Sequence, residues 1–205
     1  MTDRHEQRHP GPAGPDPAPP EPSGAVHPVP DVLSYLAGRW RVHRSVADLG
    51  GGGRGVFEGT AAFTGGADGV LCHAEEGTFT WRGTARPARR AHRYLPLGDG
   101  TASVAFEDGR PFHLLDLRTG RWTARHPCAA DRYLGRFTVL GPDRWQVVWT
   151  VRGPGKDVRM STVHERLRPV VPPGVWSPGR QMSHPTSPPG DPRDPGQTME
   201  RSGAR

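Results

Sequence analysis

The chain has 205 residues, 24 prolines, 28 glycines and a formal charge of +6 at pH 7. No stretch is long and apolar enough to span a bilayer, and Met1–Glu6 begins no secretory leader, so a cytoplasmic protein without a membrane span is expected. Its only cysteines, Cys72 and Cys128, exclude a disulfide scaffold.

Proline divides the chain. Nine prolines lie in residues 1–30, nine in 169–205 and six between. Both ends are poor in large apolar side chains and bury too little surface to offset their ordering entropy. Residues 1–30 and 169–205 therefore read as disordered tails around one domain, 31–168, large enough for a core. All but one of the 27 basic residues are arginine. They are scattered along strands and turns rather than gathered in a stripe, which argues against a nucleic-acid partner.

Asp31 is placed to cap a short helical turn over Val32, Leu33, Tyr35 and Leu36, which Gly38 ends. From there the apolar period is two. Trp40, Val42 and Val46 share one face of the first strand. Gly50–Gly53 is a connector. Phe57, Gly59, Ala61 and Phe63 share a face of the second strand, and Leu71, His73, Glu75 and Gly77 one of the third. A basic connection over 82–90 leads to a strand near 91–97. Val104 and Phe106 precede Asp108-Gly109, a hairpin signal. Strands follow near 112–117, 122–126, 133–139, 145–151 and 158–166.

Nine or ten short strands and no later helical segment predict an all-β fold, a single closed antiparallel up-and-down barrel. Gly59, Ala61, Ala62, Gly77 and Gly135 leave the gaps and bends that barrel interiors use. Trp40 on the first strand and Arg166 on the last become neighbours when such a barrel closes. The guanidinium then lies over the indole face.

The helical turn, Gly38-Arg39-Trp40 and Arg166 resemble the calycin pattern of lipocalins and fatty-acid-binding proteins. A closer resemblance, over about 30–167, is to a bacterial and fungal family of domains of unknown function. Leu36-Ala37-Gly38-Arg39-Trp40, Glu75-x-Gly77, Phe106 through His113, His126-Pro127-Cys128 with Asp131 and Tyr133, and Trp149 through Pro154 with Lys156-Asp157 carry it. The resemblance implies membership and no activity.

One polar group stands out. Strand 112–117 is expected to pair with 122–126 through the turn at Arg118–Gly120, which sets His126 opposite Phe112 and near His113 and Arg110. Arg110, His113, His126, Cys128 and Asp131 are thus expected at one end of the barrel, followed by Tyr133. Arg110 suits a carboxylate or phosphate. The expected ligand-binding residues are Arg110, His113, His126, Asp131, Tyr133 and Glu75. Glu75 shares a face with Leu71 and Phe79. It points either to solvent or inward, where Arg44 on the Trp40 face is a possible partner.

The expected function is binding of a small amphipathic or anionic molecule, with no cofactor or metal. Five alternatives stay open. His113, His126, Cys128 and Asp131 are all possible metal ligands, though their spacing matches no strong zinc pattern. Cys128, paired with His126 and oriented by Asp131, would make an enzyme. His164, beside Val158, Met160 and Thr162, would be a haem ligand or a core residue. The barrel would be a non-catalytic interaction module. The polar group would be a hydrogen-bonded corner.

Overall fold

The computed structural model describes residues 25–168. The proline-rich segments 1–24 and 169–205 lie outside the described residues. Helix α1 (Val32–Leu36) starts at Asp31, whose carboxylate accepts from Ser34 N at 2.7 Å. Ten strands follow: β1 (Gly38–Asp48), β2 (Arg54–Gly65), β3 (Leu71–Trp81), β4 (Thr84–Pro96), β5 (Ala102–Phe106), β6 (Pro111–Leu115), β7 (Arg121–Cys128), β8 (Asp131–Gly141), β9 (Arg144–Gly153) and β10 (Lys156–Arg166). A one-turn 3-10 helix (Ala67–Gly69) lies between β2 and β3.

All pairings are antiparallel, in the order β6-β5-β4-β3-β2-β1-β10-β9-β8-β7. The first and last strands pair, with Trp40 opposite Arg166. The Arg166 guanidinium lies 4.1 Å from the Trp40 ring centroid. It also donates to Ala37 O at 2.8 Å and Tyr35 O at 2.6 Å, tying α1 to the join. The all-β barrel is nearly closed, and its seam lies between β6 and β7.

Three expectations are corrected. The basic stretch before Ala91 is strand, not connection. Arg82 (φ 48) and Gly83 (φ 82) form a tight left-handed turn, so β4 begins at Thr84 and pairs through Tyr94 with the whole of β3. The hairpin expected between 112–117 and 122–126 is not a ladder, because β6 and β7 share none among the described residues. The connection between them turns inward. Leu117 is buried, its carbonyl accepts from Val29 N and Gly120 N, and Gly120 O accepts from Val139 N. Those carbonyls are then committed elsewhere. The third correction follows from the same contacts. Residues 25–30 belong to the folded domain, with Val29 buried and His27 N donating to Val139 O at 3.0 Å.

Strand alternation puts Trp40, Phe63, Leu115, Leu117 and Val139 inside one end, where Val32 and Leu36 plug it. Trp40 Nε1 donates to Leu36 O at 2.8 Å, so its polar atom is satisfied in that apolar layer. Each of these side chains contributes about 1.5–3 kcal/mol by burial. Toward the opposite end the apolar positions Phe79, Phe112, Tyr133 and Met160 are only half-buried. The helix end is the more fully buried of the two.

Candidate functional site

Above the apolar plug, the inward positions turn polar. On β1 the alternation that buries Trp40 and Val42 also buries Arg44. On β3 the one that buries Leu71 and His73 buries Glu75. To meet Glu75, Arg44 must reach over β2, where Gly59 and Ala61 leave the path clear. Phe57 supports the guanidinium from 5.0 Å. Arg44 Nη1 and Nη2 donate to the two Glu75 oxygens at 2.8 Å each, and Arg44 Nε donates to Thr162 Oγ1 at 2.9 Å. Arg90, directly across the ladder from Glu75, adds a bond of 3.0 Å. Of the two orientations left open for Glu75, the structure has the inward one, with Arg44 against both of its oxygens.

Two guanidiniums thus share one carboxylate. The Arg44 side chain is 10% exposed and that of Glu75 2%, whereas that of Arg90 is 40% exposed and reaches solvent. Burial alone would raise the Glu75 pKa. The Arg44 hydrogen bonds and the charges of Arg90 and Arg44 outweigh it and hold the carboxyl below its usual range.

Four histidines adjoin this group around an internal cavity of about 30 Å³. Burial, with the charge of Arg90, lowers His73 to about 3 and His92 to about 4. Burial takes His113 to about 4, against an opposing hydrogen bond to Leu114 O, and pushes His164 well down. All four are neutral near pH 7. His73 and His92 face each other, Nδ1 to Nδ1 at 3.4 Å. His164 lies flat on Trp145, centroids 3.6 Å apart and planes 3° from parallel. His164 Nδ1 and Trp145 Nε1 are buried and have no hydrogen-bond partner among the described residues.

A bulge completes the wall. The β5–β6 register shifts between Val104 and Ala105, so Ala105 faces Pro111 while Val104 faces His113. Phe112 is the extra residue, and it and His113 both reach the interior. The Phe112 ring sits between His92 (5.6 Å, 14°) and Trp149 (5.3 Å, 17°). It belongs to an edge strand whose one ladder partner is β5.

The polar residues expected together at one end are divided. His113 and His126 both touch Phe112, at 4.7 and 4.9 Å between centroids, and His126 also touches Tyr133. Trp122 Nε1 donates to Leu114 O at 2.7 Å across the seam. The other three have different partners, although Arg110 also lies over the Phe106 ring at 5.4 Å. Arg110 pairs with Asp108 at 2.7 Å. Asp131 accepts from Lys156 Nζ at 2.5 Å. Cys128 is exposed, and among the described residues no hydrogen bond joins it to His126 or Asp131. Among the described residues, no group of three or more His, Cys, Asp or Glu side chains is arranged to hold a metal ion. The His164 site does not fit haem: the side chain is buried, and the adjoining cavity of about 30 Å³ holds about one water.

His73, His92, Arg90 and Trp145 escape a motif search. Strand period was the usable signal. With β4 read as beginning at Thr84, Arg90, His92 and Tyr94 fall on one face, opposite Glu75, His73 and Leu71.

Residues 36–166 match the model of a family of unknown function, DUF6314, and the chain belongs to that family. No curated protein matches. Among solved structures, the chain is similar to the S-type phycobiliprotein lyase CPES of Guillardia theta. The identity is 10%, the TM-score 0.50, and 66% of this chain and 90% of that one are covered. It is also similar to a redesigned β-barrel, mFAP1, bound to DFHBI, with 16% identity, TM-score 0.37 and coverage of 65% and 97%. A DUF3598 protein of unknown function from Nostoc punctiforme matches with 12% identity, TM-score 0.39 and coverage of 69% and 51%. The lyase likeness supports the barrel fold. Among the described residues, no helix is long and apolar enough to cross a membrane.

Proposed function

We propose that this barrel binds a small, flat, anionic molecule at the Arg44–Glu75–Arg90 group, between the rings of His92 and Trp149. One observation carries the reading: a buried carboxylate shared by two guanidiniums, beside histidines that stay neutral. Arg44 and Glu75 cancel, so the group has one surplus positive charge, on the half-exposed Arg90, which attracts an anion. Arg44 spends its Nε, Nη1 and Nη2 on Thr162 and Glu75. Arg90 spends one hydrogen bond and keeps donors free for a guest.

The cavity of about 30 Å³ is too small for a ring. Phe112 supplies the rest by moving aside, since its strand has one ladder partner, β5, and is otherwise tied across the seam by the Trp122–Leu114 bond. A planar guest then takes its place in the stack. His113 and His126 border that slot, with Tyr133 behind His126 and Glu75 behind Arg90. Arg110 and Asp131, engaged outside with Asp108 and Lys156, have no part in this reading, nor does Cys128.

The test is native mass spectrometry of protein purified gently from cells, followed by titration with aryl carboxylates, benzoate first. A retained acidic molecule, or benzoate binding that Arg90→Met weakens at least about tenfold, supports the reading. Protein that carries no guest and ignores every aryl acid refutes it.

A further inference from the structure

We infer that the outer face of β7–β10 binds duplex DNA through its backbone phosphates, without sequence preference. This face lies outside the barrel and is independent of the interior binding reading above.

Along the chain the arginines are scattered, and that scatter is what argued against a nucleic-acid partner. Folding gathers six of them. The alternation that buries Trp145, Val147, Trp149 and Val151 on β9 turns Arg152 to the outer face. The ladders set Arg132 directly opposite Arg152, and Arg136 opposite Val148. Arg125 and Arg159 stand at the two ends of one row that runs through Leu134 and Thr150. Arg121, on the same side of β7 as Arg125, completes the group. Asp157 is the carboxylate among them, 3.8 Å from Arg152. The next one along β10, Glu165, is held by Arg144 at 3.8 Å. Among the described residues, Arg125, Arg132, Arg136 and Arg159 have no carboxylate partner.

The Arg132–Arg152 pair is the second observation. Like charges directly opposite each other across a ladder are destabilising. Breaches of this kind are expected where a partner, not the fold, sets the requirement. The outer side of β3 and β4 shows no such breach, since Glu76 faces Arg89 there.

Size and chemistry select the partner. Strands lie about 4.8 Å apart and successive outward residues about 6.8 Å, so the patch measures about 14 by 20 Å. Duplex DNA carries a charge every ~1.7 Å, about 12 over that length, with roughly half on any one side. Six arginines less Asp157 answer that number. Thr123, Thr150 and Ser161 add hydroxyls that suit phosphate oxygens. The outward positions hold no aromatic ring on which an unpaired base could stack, which disfavours a single strand. None of the exposed large apolar side chains, Leu49, Val56, Leu97 and Leu114, lies on this face. It therefore lacks the apolar anchor that a membrane-bound surface uses beside its charge.

The test is fluorescence anisotropy of a labelled duplex of about 20 base pairs, titrated with the full chain at salt between about 50 and 200 mM. The expected result is micromolar binding at the low-salt end, with a log–log salt slope of about −3 to −4, whatever the base sequence. Arg132→Ser with Arg136→Ser should weaken binding at least about tenfold and reduce the slope by about 2. Arg89→Ser with Arg93→Ser, on the outer side of β4, should change it less than about twofold. If the first variant misfolds, Arg125→Ser with Arg159→Ser takes its place. No binding at low salt overturns the inference, and so does binding that the β7–β10 variants leave unchanged. Phosphatidylserine vesicles bound more tightly than the duplex overturn it too, and assign the face to a membrane.

Discussion

Replacing Glu75 with glutamine isolates the charge at the centre of the barrel. The side chain keeps its length and one acceptor oxygen, so packing hardly changes. What changes is that two guanidiniums face each other without their shared carboxylate. Removing one partner of a buried ion pair costs about 3–5 kcal/mol. The Arg90 side chain, 40% exposed, can turn to water, while that of Arg44, 10% exposed, cannot. The expected loss is therefore near the low end, about 3 kcal/mol. Urea unfolding at pH 7, followed by tryptophan fluorescence, measures it directly. A companion variant gives the sign. With Arg44→Met and Glu75→Leu together, no buried charge is stranded, and much of the loss should return. Glu75→Gln within 1 kcal/mol of the unaltered chain, with an unchanged urea slope, would refute this account of the group.

Acid should loosen the fold well before its carboxylates titrate. His73, His92 and His113 titrate near 3, 4 and 4 in the folded chain, against about 6.5 when unfolded. Their stabilisation is complete above about pH 6.5 and is lost as pH falls toward 4, amounting to roughly 1–2 kcal/mol per histidine by pH 5. The depressed Glu75 adds its own loss below about pH 4.3. A urea midpoint that stays level from pH 7 to 5 would contradict the neutral-histidine wall. Arg166→Met removes the contact over Trp40 and the bonds to Ala37 and Tyr35, at an expected cost of about 2–3 kcal/mol. Arg166→Lys should restore less than half of that in the same assay, because an ammonium cannot hold the two carbonyls and the ring together.

The architecture was legible because alternation and turn chemistry are local. Asp108-Gly109, Gly141-Pro142-Asp143 and Gly153-Pro154-Gly155 each mark a place where the chain reverses. Trp40 and Arg166 report the closure because each sits beside its own element's end. The seam was not legible. Leu117 and Gly120 read as the flanks of an ordinary hairpin until Val29 and His27, counted with a tail, prove to engage that region's backbone. The site was half legible for a similar reason. Glu75 and Arg44 lie on faces that period two predicts, so their meeting could be proposed. The joint placement of Phe112 and His113 depends on a one-residue bulge between β5 and β6, and nothing in the local pattern announces it. Arg110, Cys128 and Asp131 attracted notice as a chemical set, but turn geometry at the hairpin tips aims them at Asp108, solvent and Lys156.

The lacing of β1 to β10 also bears on how the chain reaches its fold. Every other ladder joins consecutive strands and forms by zipping from a nearby turn. This one joins residues 40 and 166 and must wait until both arms, β1–β6 and β7–β10, have been drawn together. High contact order makes such a step slow. Until it happens, β1 and β10 are unsatisfied edges, so the half-assembled chain is the form most exposed to pairing with a second copy of itself.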